Sequence, residues 1–274
     1  MIYQVLKLKS FFDSEYIGED AILTIYAIDN SPEFDMNKKR PTVLICPGGG
    51  YGMTSDREAE PVALRFLRHG FNAAVLRYSC APAHYPAQLI EVSAAMALLK
   101  RRAEYNIDRD KIAICGFSAG GHLAASLGVL WKEPIVSAEL KLSSGENRPH
   151  AMILSYPVIS SGEFSHNGSF QNLLGKSPEP ALLAKLSLEN EVCTDTCPAF
   201  IWHTANDDVV PAENALLFAA ALKKAAVPFE LHIYDRGPHG LSLADDSVPI
   251  CKNMEEHRHI RSWFDLAIEW LNRM

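Results

Sequence analysis

No stretch of this 274-residue chain is apolar for long enough to span a bilayer. Residues 1–9 lack the apolar core and cleavage site of a signal peptide. Positive charge is in short supply. Lys and Arg number 26 against 33 Asp and Glu, a net charge of −7. That balance argues against a nucleic-acid partner, which selects basic patches, and Lys38-Lys39-Arg40 is too short to reverse it. The six cysteines are scattered. Cys193 and Cys197 have no second Cys/His pair at zinc spacing, which argues against a metal site. Cys46 and Cys115 fall in apolar runs, where free thiols behave as small hydrophobes. Linkers, internal repeats and low-complexity tracts are missing too. The expectation is one cytoplasmic domain over residues 1–274, with no membrane partner and homo-oligomerisation left open.

What is present is an alternation of strand and helix signals. Strands are expected at residues 22–28, 42–46, 71–78, 111–115, 150–156, 199–204 and 229–234. Helices are expected at 59–69, 86–105, 120–127, 212–225 and 255–272. Residues 86–105 place Leu89, Val92, Ala95, Met96 and Leu99 near one helical face. Such alternation implies an α/β architecture, a mainly parallel sheet covered on both faces. Residues 159–196 break the rhythm. They are rich in Ser, Gly, Asn and Pro, with a short helical piece near 180–186, and read as a small cap or lid off the sheet.

One pentapeptide concentrates the chemistry. Gly116-Phe117-Ser118-Ala119-Gly120 matches G-x-S-x-G, with the run Lys111-Ile112-Ala113-Ile114-Cys115 before it and a small-residue helix after it. A sharp strand-to-helix turn there lifts the Ser118 hydroxyl off the sheet and aims free helix N–H groups at any oxyanion formed beside it. A serine hydroxyl also needs a base, and the base needs an orienting acid. Two downstream loops, each after an expected strand, supply them in the order acid then histidine: His203-Thr204-Ala205-Asn206-Asp207-Asp208 and Asp235-Arg236-Gly237-Pro238-His239-Gly240. Asp207, by its spacing to Val210-Pro211, is the candidate acid. Asp208 is read as a helix cap. His239 is the candidate base.

Bland readings compete at each position. Ten histidines make a loop histidine cheap, and an Asp pair after a strand is often only a cap. The fixed order and the three strand ends favour a triad of Ser118, Asp207 and His239. His122, one helical turn past Ser118, is expected to buttress the turn by a buried hydrogen bond rather than act as base. His203 is expected beside the acid loop, and His84 at the surface. The oxyanion needs two N–H donors. Ala119 offers one, and Pro47-Gly48-Gly49-Gly50-Tyr51-Gly52 offers the other through Gly49 or Gly50, with Tyr51 also open. The same glycines fail as a phosphate loop, having neither a Gly-Lys-Ser/Thr ending nor G-x-G-x-x-G spacing.

These motifs together resemble the acetyl esterase/lipase-like α/β-hydrolases that include acetylxylan and feruloyl esterases. The similar segments are Ile45-Cys46-Pro47-Gly48-Gly49-Gly50-Tyr51, Gly116 to Ala124, Phe170-Gln171-Asn172-Leu173-Leu174-Gly175, Trp202 to Pro211, and Gly237-Pro238-His239-Gly240-Leu241. The likeness runs from about residue 40 to the end of the chain. It implies an α/β-hydrolase fold with a small cap, Ser118, Asp207 and His239 as nucleophile, acid and base, and no cofactor. It also implies a small-molecule ester substrate, with a short acyl group on a carbohydrate or similarly polar alcohol. The hydroxyls and amides of residues 159–196, with only scattered Phe and Leu, suit such an alcohol, the bland reading being a solvated surface loop. Pro47 stands where hormone-sensitive-lipase-like relatives carry His, and Ser79 where many relatives place Arg. Both departures weaken a tie to lipid esterases and leave the triad untouched. A peptidase or amidase on the same fold, and a non-catalytic binding module, are the alternatives.

Overall fold

The computed structural model describes residues 1–33 and 35–274. Its eight strands are β1 (Ile2–Lys7), β2 (Ile22–Ala27), β3 (Arg40–Cys46), β4 (Asn72–Arg77), β5 (Ile107–Phe117), β6 (Met152–Ser155), β7 (Ala199–Thr204) and β8 (Phe229–Tyr234). They form one sheet in the order β1-β2-β4-β3-β5-β6-β7-β8. Pairing is antiparallel from β1 through β2 to β4 and parallel across the rest. The central strands read as continuous apolar runs because both of their faces are covered. Along β3 the side chains alternate. Val43 and Ile45 enter one core, and Leu44 and Cys46 the other.

The first of these cores is closed by α1 (Glu60–Arg68) and α8 (Ser262–Arg273), with Phe66, Trp263 and Phe264 at its centre. The second is closed by α2 (Ala87–Arg101), α3 (Ala119–Leu130), α4 (Pro134–Leu140) and α7 (Glu213–Lys224). Residues 159–196 contain α5 (Asn167–Leu174) and α6 (Pro180–Lys185). This excursion is stitched to the body. Phe170, Leu173, Leu186 and Leu188 are buried in the second core, and the Tyr85 N–H donates to Leu173 O at 2.9 Å.

Several elements differ from the sequence reading, each for a physical reason. Helix α2 is not one-faced. It is buried all round from Ala87 to Leu99, including Gln88, Glu91 and Ser93, because α3, α4 and the N-terminal segment enclose the side away from the sheet. It also ends earlier than expected, and Asn106 in a left-handed conformation (φ 58°) redirects the chain into β5. The closing helix is shorter as well. Met254–Arg261 forms 3₁₀ turns before α8 begins. Strand β1 has little signal in the sequence, since its apolar Tyr3 and Val5 lie exposed at the sheet edge. Helices α4 and α5 are too short to build a legible period.

Candidate active site

Ser118 sits between β5 and α3 with φ 51° and ψ −120°, a conformation L residues rarely adopt. The turn is held from three sides. Ser118 N–H donates to Ser155 O at 3.0 Å, and Ser118 O accepts from His122 N–H and Val158 N–H, both at 3.1 Å. It also requires close backbone approach. A Cβ on Gly120 would lie 2.1 Å from Cys46 O, so only glycine fits where α3 crosses the end of β3.

His239 and Asp207 reach this serine from the ends of β8 and β7. Ser118 Oγ lies 2.8 Å from His239 Nε2, and His239 Nδ1 lies 2.7 Å from Asp207 Oδ2. A carboxylate only accepts, so Nδ1 carries the proton and Nε2 presents its lone pair to the serine hydroxyl. Asp207 is almost fully buried, and its other oxygen accepts the N–H groups of Val209 (3.0 Å) and Val210 (2.9 Å). Burial alone would raise its pKa. Hydrogen bonds from His203, His239 and Val210 outweigh that and hold the carboxyl well below the usual carboxylate range. Asp208 is exposed and caps nothing. Helix α7 has Ala212 at its N-cap and no side-chain cap, and the N–H groups of Val209 and Val210 that follow Asp208 are taken by Asp207.

The other histidines separate cleanly. His203 is buried beside the acid, its Nε2 2.9 Å from Val210 O and 3.3 Å from Asp207 Oδ2. His122 is buried with Nε2–H donating to Leu186 O at 2.9 Å, so Nδ1 accepts the Tyr51 hydroxyl at 2.8 Å. It therefore ties the glycine loop to the excursion, and burial pushes its pKa down to about 4. His84 is exposed, 3.1 Å from Asn172 O.

The glycine loop lies directly against the serine. A Cβ on Gly48 would be 2.9 Å from Ser118 Cβ. Gly48 N–H is taken by Glu58 Oε2 at 2.8 Å. The N–H groups of Gly49, Gly50 and Ala119 have no acceptor among the described residues. Asn172 Nδ2 donates to Gly50 O at 2.8 Å and braces the loop from the excursion. A cavity of about 760 Å³ lies elsewhere, among Lys39, Lys100, Arg101 and Arg109 at the opposite ends of the strands. Several of its cations are engaged already: Arg101 with Glu146, and Lys100 with backbone carbonyls.

Four residues of this constellation escape sequence reasoning. Thr204 Oγ1 donates to Gly237 O at 2.8 Å, and Asn206 Oδ1 accepts Gly237 N–H at 2.7 Å, so together they clasp the acid loop to the histidine loop. Tyr156 sets its ring edge-on to His239 with centroids 5.0 Å apart. Glu58 is buried beneath both loops. Tyr156 had a usable signal, its place at the end of a strand before Pro157. Glu58 had none, because a lone carboxylate in a charged turn reads as surface.

Known proteins share this arrangement of sequence. The BD-FAE family model matches residues 31–222, and the prolyl oligopeptidase family matches residues 177–270. The chain is 41% identical over 214 residues to endo-1,4-beta-xylanase B of Butyrivibrio fibrisolvens, covering 76% of this chain and 33% of that protein. It is 32% identical over 214 residues to an acetylxylan esterase of Xylanibacter ruminicola, covering 76% and 42%. The chain thus spans less than half the length of these curated relatives. Among solved structures, an acetyl ester-xyloside bifunctional hydrolase from Caldicellulosiruptor lactoaceticus is 37% identical with a TM-score of 0.82, covering 98% of this chain and 96% of that one. A carboxylesterase from Lactobacillus plantarum is 27% identical with a TM-score of 0.85, covering 100% and 98%.

Proposed function

The chain belongs to the BD-FAE family and has the α/β-hydrolase fold, and from that premise we propose that it hydrolyses carboxylic esters through an acyl-enzyme on Ser118. The observation that carries this reading is the unbroken line of hydrogen bonds from Ser118 through His239 to Asp207. Ser118 Oγ attacks the ester carbonyl while its proton passes to His239 Nε2. Asp207 fixes the reactive tautomer and stabilises the imidazolium. The N–H groups of Ala119 and of Gly49 or Gly50 receive the oxyanion. Collapse breaks the C–O bond, and the alcohol leaves with the proton from His239. Water then gives a proton to the same nitrogen as it attacks the acyl group. The carboxylic acid departs and Ser118 recovers its hydrogen.

For substrate we infer a short acyl group, acetyl first, on a carbohydrate or similarly polar alcohol. The support is the named activity of the acetylxylan esterase and of the acetyl ester-xyloside hydrolase. The excursion supplies less support than its composition suggests, because its polar groups are largely bonded within the chain. The prolyl oligopeptidase match over residues 177–270 favours amide cleavage as a second reading. A cytoplasmic setting is supported by the six cysteines, all free thiols. No helix among the described residues is long and apolar enough to cross a membrane.

Two experiments test the reading. Ser118→Ala should abolish covalent labelling by a fluorophosphonate, and undiminished labelling would remove Ser118 from the mechanism. Rates on p-nitrophenyl acetate through decanoate, an acetylated xylo-oligosaccharide and a peptide anilide then separate the substrate classes. A rise toward decanoate without sugar deacetylation would indicate a lipid esterase. A dominant anilide rate would indicate a peptidase.

A further inference from the structure

Glu58 is 3% exposed, in a 3₁₀ turn (Asp56–Glu58) that follows the glycine loop and is remote in sequence from the Ser118, Asp207 and His239 motifs. Its carboxylate oxygens accept from two different parts of the site. Oε2 takes Gly48 N–H at 2.8 Å, immediately before the proposed oxyanion donors. Oε1 takes the Tyr156 hydroxyl at 2.6 Å. That hydroxyl in turn accepts Ser242 N–H at 2.9 Å, three residues past His239, and the Tyr156 ring packs against the His239 imidazole. Neighbouring atoms follow the same pattern. Arg57 Nη1 donates to Gly240 O at 2.8 Å, and Ser242 Oγ donates to Arg57 O at 2.7 Å. Burying a carboxylate is costly unless its lone pairs are filled. Here each oxygen accepts one bond, from neutral donors that belong to opposite arms of one site.

We propose that Glu58 is a positioning residue for ester hydrolysis, whose buried carboxylate locks the glycine loop and the His239 loop into one register. Through Gly48 it sets where the Gly49 and Gly50 N–H groups point. Through Tyr156 it sets the ring against which His239 rests. Displacing a reacting group by a fraction of an ångström costs rate rather than ground-state affinity. This inference rests on the ester-hydrolase reading and extends it to a residue that touches no substrate.

Glu58→Gln keeps the shape but replaces one carboxylate oxygen by an NH2 donor, so that either Gly48 N–H or the Tyr156 hydroxyl loses its acceptor. With p-nitrophenyl acetate its kcat should fall about 10- to 100-fold while KM stays within about threefold. The rate constant for fluorophosphonate labelling of the folded protein should fall by the same factor. Tyr156→Phe, which keeps the ring, should lose about tenfold in both. The double variant should be no worse than Glu58→Gln alone, because both changes cut one network. An unchanged kcat and labelling rate in Glu58→Gln, or strict multiplication of the two losses, overturns the proposal. Should Glu58→Gln not fold, a wild-type labelling rate in Tyr156→Phe overturns it equally. Ser118→Ala run in parallel separates the two failures: label retained there defeats the ester-hydrolase reading itself.

Discussion

Two polar regions flank Ser118, and they use their polar groups in opposite directions. The acid and histidine loops, residues 204–242, aim theirs at the serine. Asp207 meets His239, His239 meets Ser118, and Thr204 and Asn206 hold the loops together. The excursion, residues 159–196, turns its own inward. Ser160 Oγ accepts Gly162 N–H, Ser187 Oγ accepts Ser161 N–H, and Ser169 binds His166. Both segments carry many polar side chains, yet one lines them up on Ser118 and the other mostly holds itself to the body. Polar content in a loop reports solubility and turn chemistry. It carries no direction, and direction is what makes a site.

That contrast can be broken most sharply at the paired aspartates. Asp207→Asn should lower kcat on the order of 10⁴-fold through loss of the reactive tautomer, while Asp208→Asn should leave kcat within about twofold. Comparable losses in the two would show that burial and hydrogen bonding do not distinguish them. The next largest effect lies where the two regions meet, at His122. Its folded pKa, about 4, is below the ordinary 6.5, so the unfolded chain binds this proton first as pH falls. Its contribution to stability is complete above pH 6.5 and is lost as pH drops toward 4, by up to about 3 kcal/mol. Urea unfolding across pH 7 to 4 should show this slope, flattened in His122→Gln. An equal slope in the variant would assign the proton elsewhere.

Smaller effects sharpen the contrast within the excursion. Asn172 braces the glycine loop directly, so Asn172→Ala should slow kcat about five- to tenfold with little change in melting temperature, a rate effect of misplaced donors. Ser160→Ala should do the reverse. It leaves Gly162 N–H without its acceptor and costs about 1 kcal/mol in stability, with kcat/KM on an acetylated sugar kept within about twofold. A large rate loss for Ser160→Ala would mean that the excursion does grip the leaving group.

How much of this was legible follows the same division. The order of strands and helices, and the residues now found in one hydrogen-bonded line, could be read because a parallel strand, a G-x-S-x-G turn and a Gly-rich loop each constrain local sequence. The surroundings could not. Helix α2 shows an apolar stripe whether one side or every side is covered, so its full burial is a tertiary fact. The 3₁₀ run before α8 lacks the spacing that separates it from a helix. Glu58 and Tyr156 are joined across 98 residues, and neither carries a local motif. The preference for Asp207 over Asp208 rested on spacing to Val210-Pro211, whereas the helix cap expected of Asp208 does not form.

The most direct test is to trap the covalent intermediate. Brief exposure to p-nitrophenyl acetate, quenching in acid and peptide mass mapping should find one added acetyl group on the peptide containing Ser118, with a matching burst of p-nitrophenol and neither in Ser118→Ala. An equal burst from Ser118→Ala, or turnover with acetyl found only on another residue, would contradict catalysis through Ser118.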